Sequence, residues 1–118
     1  MSKILIVDDS RIFRKILHNT LEENGHTIVA EAGNGQEAIA ILDKESADIV
    51  TLDITMPMMD GLATLKEIRE KHPGVKVVMV SAAGQKAKVM EALKCGASDF
   101  LQKPFQPDEV VSVIGKLS

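Results

Sequence analysis

A chain of 118 residues has the length of one typical domain and is too short to bury two separate hydrophobic cores, so we expect a single domain over residues 1–118. Apolar residues make up 45% of the chain and charged residues 26%, which is the composition of a folded globular protein rather than of a disordered one. The formal net charge of −3, with no long run of Lys or Arg, argues against a nucleic-acid-binding protein.

The cysteine content and the first residues indicate the compartment. The chain has one cysteine, Cys95, which excludes an internal disulfide and is typical of a reducing compartment. The opening residues MSKILIVDDS lack the apolar length of a signal peptide or a membrane span. We therefore expect a cytoplasmic protein that does not enter the membrane.

The first half of the chain alternates between short β-branched segments and amphipathic helical segments. A strand is predicted over residues 3–7 (KILIV), and the helix after it has apolar residues at helical spacing, namely Ile12, Ile16, Leu17 and Leu21. Gly25 lies where this helix should stop. A second strand over residues 26–31 (HTIVAE) then leads into a second helix over residues 35–45.

The second half of the chain repeats this alternation. A strand over residues 48–52 (DIVTL) precedes a third helix, whose apolar positions are Leu62, Leu65 and Ile68. A strand over residues 75–80 (VKVVMV) precedes a fourth helix over residues 85–95, which should stop at Gly96. The last strand, residues 99–102 (DFLQ), leads to a helix over residues 107–117, with Pro107 in its first turn.

Alternating strands and helices predict an α/β fold, here a doubly wound parallel sheet of five strands with helices on both faces. The nearly continuous apolar character of KILIV, DIVTL and VKVVMV is typical of strands that are buried on both sides. In open sheets of this class, functional sites form beyond the carboxyl ends of the strands. Polar side chains at those positions are therefore the candidates for a functional site.

Charged and hydroxyl side chains stand at four of these strand ends. Asp8 and Asp9 follow the first strand, Asp53 follows the third, Ser81 follows the fourth and Lys103 follows the fifth. Three neighbouring carboxylates repel one another unless a cation offsets their charge. Hard divalent cations prefer oxygen ligands, so this pattern predicts a Mg²⁺ site with Asp9 and Asp53 as the most direct ligands.

Four motifs carry a resemblance to a known family. The chain resembles the receiver domain of two-component response regulators, and in particular the stand-alone chemotaxis regulators of the CheY type. The residues that carry this resemblance are VDDS at 7–10, LDITMPMMDG at 52–61, VSAAG at 80–84 and KPF at 103–105. The resemblance covers the whole chain, and its motifs occur in the family's order. It implies a flavodoxin-like (βα)5 sheet with strand order 2-1-3-4-5.

The resemblance also implies a role for each candidate residue. Asp53 would be the phosphoacceptor, and Asp8, Asp9, Asp53 and the backbone carbonyl of Thr55 would hold Mg²⁺. Ser81 would bond a phosphoryl oxygen, and Lys103 would pair with the acceptor carboxylate or its phosphate. Phe100 would be the aromatic switch residue, and the Lys103–Pro104 bond would be cis.

The partners and output follow from the same resemblance. A sensor histidine kinase would donate the phosphoryl group, and the protein would catalyse only its own phosphorylation and dephosphorylation. The surface formed by the fourth helix, fifth strand and fifth helix would then bind a downstream protein, such as a flagellar motor switch. The chain would act as a monomer, without nucleic acid or membrane.

Each role has a purely structural alternative. Asp8, Asp9 and Ser10 precede an apolar-periodic segment, which is typical of a helix N-cap. Asp53 and Lys103 could be strand-end charges at the surface, Ser81 a turn residue and Phe100 a packing residue.

Other functions also remain open from the sequence. The chain could be a single-domain phosphorelay intermediate or the excised receiver of a larger regulator. A flavodoxin-like flavin binder shares the fold class, but the acidic segment DDSR would repel a flavin phosphate and the chain has no Trp or Tyr. A haloacid dehalogenase-type phosphatase needs a second Asp where Thr55 stands.

Overall fold

A computed structural model describes residues 2–56 and 58–118, which form five strands and five helices in strict alternation. The strands are β1 (Lys3–Val7), β2 (Thr27–Ala32), β3 (Ile49–Asp53), β4 (Lys76–Ser81) and β5 (Asp99–Gln102). The helices are α1 (Arg11–Glu23), α2 (Gly35–Lys44), α3 (Gly61–Lys71), α4 (Lys86–Lys94) and α5 (Pro107–Leu117).

The five strands form one parallel sheet in the order β2-β1-β3-β4-β5. This confirms the predicted α/β fold class and strand order. Both β1 and β3, which precede the acidic residues, lie inside the sheet and next to each other. Their carboxyl ends therefore meet at one edge of the sheet.

Three strands begin and end one residue later than the sequence predicted, namely β2, β3 and β4. Asp53 pairs with Val80 and Ser81 pairs with Gln102, so these two polar residues belong to β3 and β4 rather than following them. Asp48, the first residue of the predicted strand, lies just before β3, and its carboxylate accepts a hydrogen bond from the Lys3 N–H at 2.8 Å. The shift makes Asp53 and Ser81 the last residues of their strands.

Two apolar layers cover the two faces of the sheet. The larger one packs the sheet against α2, α3 and α4 through residues such as Leu42, Leu65 and Val89. The smaller one packs it against α1 and α5 through Leu17 and Ile114. None of the described helices is long and apolar enough to span a membrane.

The prediction for the apolar face of α1 was partly wrong. Leu17 and Leu21 are buried, whereas Ile12 is 72% exposed and Ile16 is 42% exposed. Residues four apart share a face of a helix, so the two pairs form separate stripes, which are offset by five positions and therefore lie about 140° apart around the helix. Only one of the two stripes reaches the sheet.

The helix boundaries follow from local signals. The Ser10 side chain accepts a hydrogen bond from the Phe13 N–H and caps α1, as its position before an apolar-periodic segment indicated. Gly25 and Gly96 have φ values of 88° and 105°, which lets the chain leave α1 and α4 sharply. At the amino end of the sheet, the Ser2 hydroxyl lies 2.8 Å from that of Ser118.

Candidate functional site

Three carboxylates meet at the carboxyl ends of β1 and β3. Oxygen atoms of Asp8, Asp9 and Asp53 lie within 4.8 Å of one another. Asp8 and Asp53 are buried, with 1% and 5% of their surface exposed, whereas Asp9 is exposed to solvent. The structure therefore brings together the three acidic residues that the sequence singled out.

Lys103 brings a positive charge to this cluster from the loop after β5. Its Nζ lies 2.9 Å from Asp8 Oδ2 and 3.4 Å from Asp53 Oδ2. The ammonium group also lies 4.3 Å from the centre of the Phe13 ring, a cation–π contact. The Lys103–Pro104 bond is cis, as predicted, and the Lys103 N–H donates to the Ser81 carbonyl at 2.7 Å.

Asp8 keeps one oxygen without a hydrogen bond. Its Oδ1 accepts from the Ser10 N–H at 2.8 Å, but its buried Oδ2 has no hydrogen-bond partner among the described residues. The Lys103 ammonium is close enough for an ion pair with that oxygen but lies outside hydrogen-bond geometry. An unsatisfied buried oxygen beside two more carboxylates fits a hydrated divalent cation such as Mg²⁺.

The pKa of Asp53 is raised from its ordinary value of 3.8 to about 6. Burial is the main cause, and the neighbouring Asp8 carboxylate adds to it. Lys103 and the Thr55 N–H, which lies 3.4 Å from Asp53 Oδ1, act in the opposite direction. At pH 7 the Asp53 side chain is therefore still mostly ionised and can act as a nucleophile.

Gly61 fixes the backbone around Asp53, a role that the sequence showed only as an Asp-Gly turn signal. Its N–H donates to the Ile54 carbonyl at 2.7 Å. A Cβ on Gly61 would lie 2.6 Å from Ile54 Cα and closer still to the Asp53 carbonyl oxygen. Only glycine fits there without displacing the backbone of the acidic site.

Ser81 and Phe100 lie on the side of the site next to α4. The buried Ser81 hydroxyl donates to the Leu101 carbonyl at 3.5 Å, not to a carboxylate. Phe100 is 41% exposed and lines a cavity of about 250 Å³ between α4 and β5, together with Val89 and Met90. The structure therefore places both predicted switch residues around one cavity, with the Ser81 hydroxyl bonded to the backbone of β5.

Three further residues around the site, Phe13, Arg14 and Gln85, lie outside the four motifs. The Phe13 ring supports the Lys103 ammonium and packs edge-on against Phe105, with ring centroids 5.8 Å apart. Arg14 donates to the Asp8 carbonyl at 2.6 Å. Gln85 bonds the Thr55 hydroxyl at 2.6 Å. Phe13 stands four residues before Leu17 in the predicted helix, a spacing that indicates packing alone.

Comparison with known proteins gives one family. A family model described as the response regulator receiver domain matches residues 4–115. A chemotaxis protein CheY from Listeria monocytogenes is 49% identical over 98% of this chain and 98% of its own. A chemotaxis protein CheY from Thermotoga maritima is 45% identical over 98% of this chain and 97% of its own.

Solved structures agree with this match. The receiver domain of NtrX from Brucella abortus superimposes with a TM-score of 0.92 at 34% identity, covering 97% of this chain and 96% of that one. A longer NtrX chain, crystallised with ADP, matches with a TM-score of 0.93, and the match spans 26% of its length. With the fold, the acidic cluster and these relatives in agreement, the chain belongs to the response regulator receiver domain family.

Proposed function

We infer that this receiver domain accepts a phosphoryl group on Asp53 from a sensor histidine kinase, in a Mg²⁺-dependent reaction, and passes the signal to a downstream protein in chemotaxis. The observation that carries this inference is the cluster of Asp8, Asp9 and Asp53 beside the Lys103 ammonium. The relatives named chemotaxis protein CheY support the pathway, and they match over nearly their whole length. Residues 1–118 would then act as one domain.

The chemistry assigns a distinct role to each residue. An Asp53 carboxylate oxygen attacks the phosphorus of a phosphohistidine as the phosphorus–nitrogen bond breaks, and the leaving imidazole keeps the electron pair and takes a proton from solvent. Lys103 stabilises negative charge on the phosphoryl oxygens. Asp8, Asp9, Asp53 and the Thr55 carbonyl would hold Mg²⁺, which supplies further charge neutralisation when bound.

The same residues would transmit the signal. A phosphoryl group on Asp53 offers charge-assisted hydrogen bonds to the Ser81 hydroxyl and the Lys103 ammonium. Turning Ser81 from the Leu101 carbonyl toward that group would draw in the loop over 82–84. The Phe100 ring would then move into the cavity beside α4, which changes the surface formed by α4, β5 and α5.

This surface would bind the downstream target, such as a flagellar motor switch protein. The protein is thus a signalling phosphoacceptor that catalyses only its own phosphorylation and dephosphorylation. We expect a cytoplasmic monomer without nucleic-acid or membrane partners. Membership in the receiver family disfavours both the flavin-binding and the phosphatase hypotheses.

The first prediction tests the acceptor directly. Asp53→Asn should abolish phosphorylation by acetyl phosphate with Mg²⁺, because an amide oxygen is a poor nucleophile and carries no charge for the cation. Intact-mass spectrometry would detect the added phosphoryl group. The matched control Asp108→Asn changes an exposed aspartate in the first turn of α5 and should be labelled like the parent. Undiminished labelling of Asp53→Asn would place the acceptor elsewhere.

A relay intermediate differs from a terminal regulator in what happens next. The phosphorylated protein would be mixed with a histidine phosphotransfer protein from the same source. Transfer of the label to that histidine would favour the relay role. Retention of the label, together with binding of a motor switch protein only in the phosphorylated state, would support the chemotaxis role.

A further inference from the structure

One side chain joins the two loops that flank Asp53. Gln85 Oε1 accepts from the Ala82 N–H at 2.7 Å, and Gln85 Nε2 donates to the Thr55 hydroxyl at 2.6 Å. A backbone N–H can only donate, so the amide oxygen faces Ala82 and the amide nitrogen faces Thr55. We call this pair of hydrogen bonds the Gln85 bridge.

Both ends of the Gln85 bridge attach next to the acidic site. The Thr55 N–H lies 3.4 Å from Asp53 Oδ1, so one end contacts a residue that already bonds the acceptor carboxylate. At the other end, Ala82 directly follows Ser81, the last residue of β4. The bridge therefore connects the end of β3 with the end of β4 above the sheet.

The bridge also replaces an ordinary helix cap. Gln85 occupies the N-cap position of α4, but its side chain makes no capping hydrogen bond to that helix. By contrast, the caps of α2 and α3, Asn34 and Asp60, both accept a backbone N–H from their own helix. The side chain of the residue that precedes α4 is thus held by the loops of the site rather than by its own helix.

The present hydrogen bonds compete with those that a phosphoryl group would require. The Ala82 N–H points to Gln85, and the Ser81 hydroxyl points to the Leu101 carbonyl. The Ala82 N–H has one proton to donate, so if the loop over 82–84 moves toward Asp53 and this N–H turns to a phosphoryl oxygen, Gln85 loses it. Such a movement would therefore break one bond of the bridge.

We propose that Gln85 is a positioning residue that holds the two loops in the unphosphorylated arrangement and delays switching until the bridge opens. This role rests on the phosphoacceptor function proposed above. A ligand that binds the switched state must overcome the bridge, because it shifts the equilibrium only by its differential affinity. Removing the bridge should therefore raise the affinity for a phosphoryl mimic.

The test uses beryllofluoride with Mg²⁺ as the mimic and the whole chain as the protein. Gln85→Ala should bind the mimic about three to ten times more tightly than the parent, the range expected for the loss of one net hydrogen bond. Thr55→Val removes the other end of the bridge, so it should raise the affinity of the parent and add nothing in the Gln85→Ala background. The control Gln36→Ala removes an exposed glutamine from the first turn of α2 and should bind like the parent.

A spectroscopic measurement separates positioning from stability. Without the mimic, the Ala82 amide signal of Gln85→Ala should shift and exchange its proton faster, and the free energy of unfolding in urea should fall by no more than about 1.4 kcal/mol, the equivalent of a tenfold change in affinity. If the parent binds the mimic and Gln85→Ala binds it no more tightly, the bridge has no such role and the proposed function stands. Equal effects of Thr55→Val in both backgrounds would also overturn it. If the parent does not bind the mimic at all, the proposed function fails, and this inference fails with it.

Discussion

The side chain of Asp53 is both buried and charged, and this combination carries an energetic cost. Its pKa of about 6 in the folded protein exceeds its ordinary value of 3.8, chiefly because of burial. The folded state therefore holds the Asp53 proton more tightly than the unfolded state does between these two values. Ionising Asp53 therefore destabilises the folded protein relative to the unfolded chain.

The second prediction is a pH dependence of stability that Asp53 causes. As pH rises from about 4 to about 6, the unfolded state ionises Asp53 first, so this residue lowers the free energy of unfolding, and its effect is constant above that range. Asp53→Asn should remove this decrease in the free energy of unfolding. At pH 7 without Mg²⁺ it should be more stable than the parent by about 1–2 kcal/mol, after allowance for solvent screening. Urea unfolding at several pH values would measure it. Equal pH profiles for the two proteins would contradict the prediction.

The third prediction separates the two acidic residues after β1. Both Asp8 oxygens already face protein groups, Oδ1 the Ser10 N–H and Oδ2 the Lys103 ammonium, whereas Asp9 faces solvent. Asp9→Ala should therefore weaken Mg²⁺ binding more than Asp8→Ala, because Asp8 should act chiefly through a bound water. Calorimetric titration of both variants would test this order. Parent-like affinity in both would remove the pair from the metal site.

Single residues show what the sequence could and could not predict. Asp8, Asp53 and Lys103 could be placed together because parallel strands end at a common edge of the sheet. The sequence could not predict that the Lys103 ammonium lies closer to Asp8 than to Asp53, since these distances depend on the conformation of the loop after β5. Gln85 had no signal either, because it lies outside the four motifs and contacts a residue 30 positions away in the chain.

Among the elements, α1 departs most from its predicted packing. Apolar periodicity identified the helix but did not indicate which of its two apolar stripes would face the sheet. In the folded protein Leu17 and Leu21 pack against the sheet, whereas Ile12 and Ile16 lie at the surface. The strand boundaries moved for a similar reason, because cross-strand pairing decides where a strand ends and composition does not.

The fourth prediction compares the two stripes of α1. Leu21→Ala should lower the free energy of unfolding by about 2–4 kcal/mol, because it opens a cavity in the layer between the sheet and α1. Ile12→Ala should change it by less than about 0.5 kcal/mol, since that side chain is 72% exposed. Chemical unfolding of both variants would measure the difference. Similar losses would mean that both stripes are packed.

At the scale of the whole molecule, the sheet connects the acidic cluster with the surface at α4 and β5 through neighbouring strands. Asp53 ends the central strand β3, which pairs with β4, and β4 in turn pairs with β5. Ser81 ends β4 and Phe100 lies on the edge strand β5, and both line the cavity beside α4. A change of charge at Asp53 can therefore reach α4 and β5 through neighbouring strands.

The fifth prediction follows from that coupling. Beryllofluoride with Mg²⁺ should shift amide signals over residues 81–105, including that of Phe100, as well as those near Asp8 and Asp53. Nuclear magnetic resonance titration would map these shifts, and Asp53→Asn serves as the control without an acceptor. Shifts confined to 8–9 and 53–55, with an unchanged Phe100 signal, would exclude the coupling.

The contact between Ser2 and Ser118 has a consequence for engineering. Because their hydroxyls lie 2.8 Å apart at the amino end of the sheet, a short Gly/Ser linker could join these residues far from Asp53. The chain could then be reopened between the exposed residues Glu45 and Ser46, so that translation would begin just before β3. Such a circular permutant would keep every strand neighbour while moving its ends to another loop at the same, amino end of the sheet. Fused there to a fluorescent protein, it would report phosphorylation from a new attachment point.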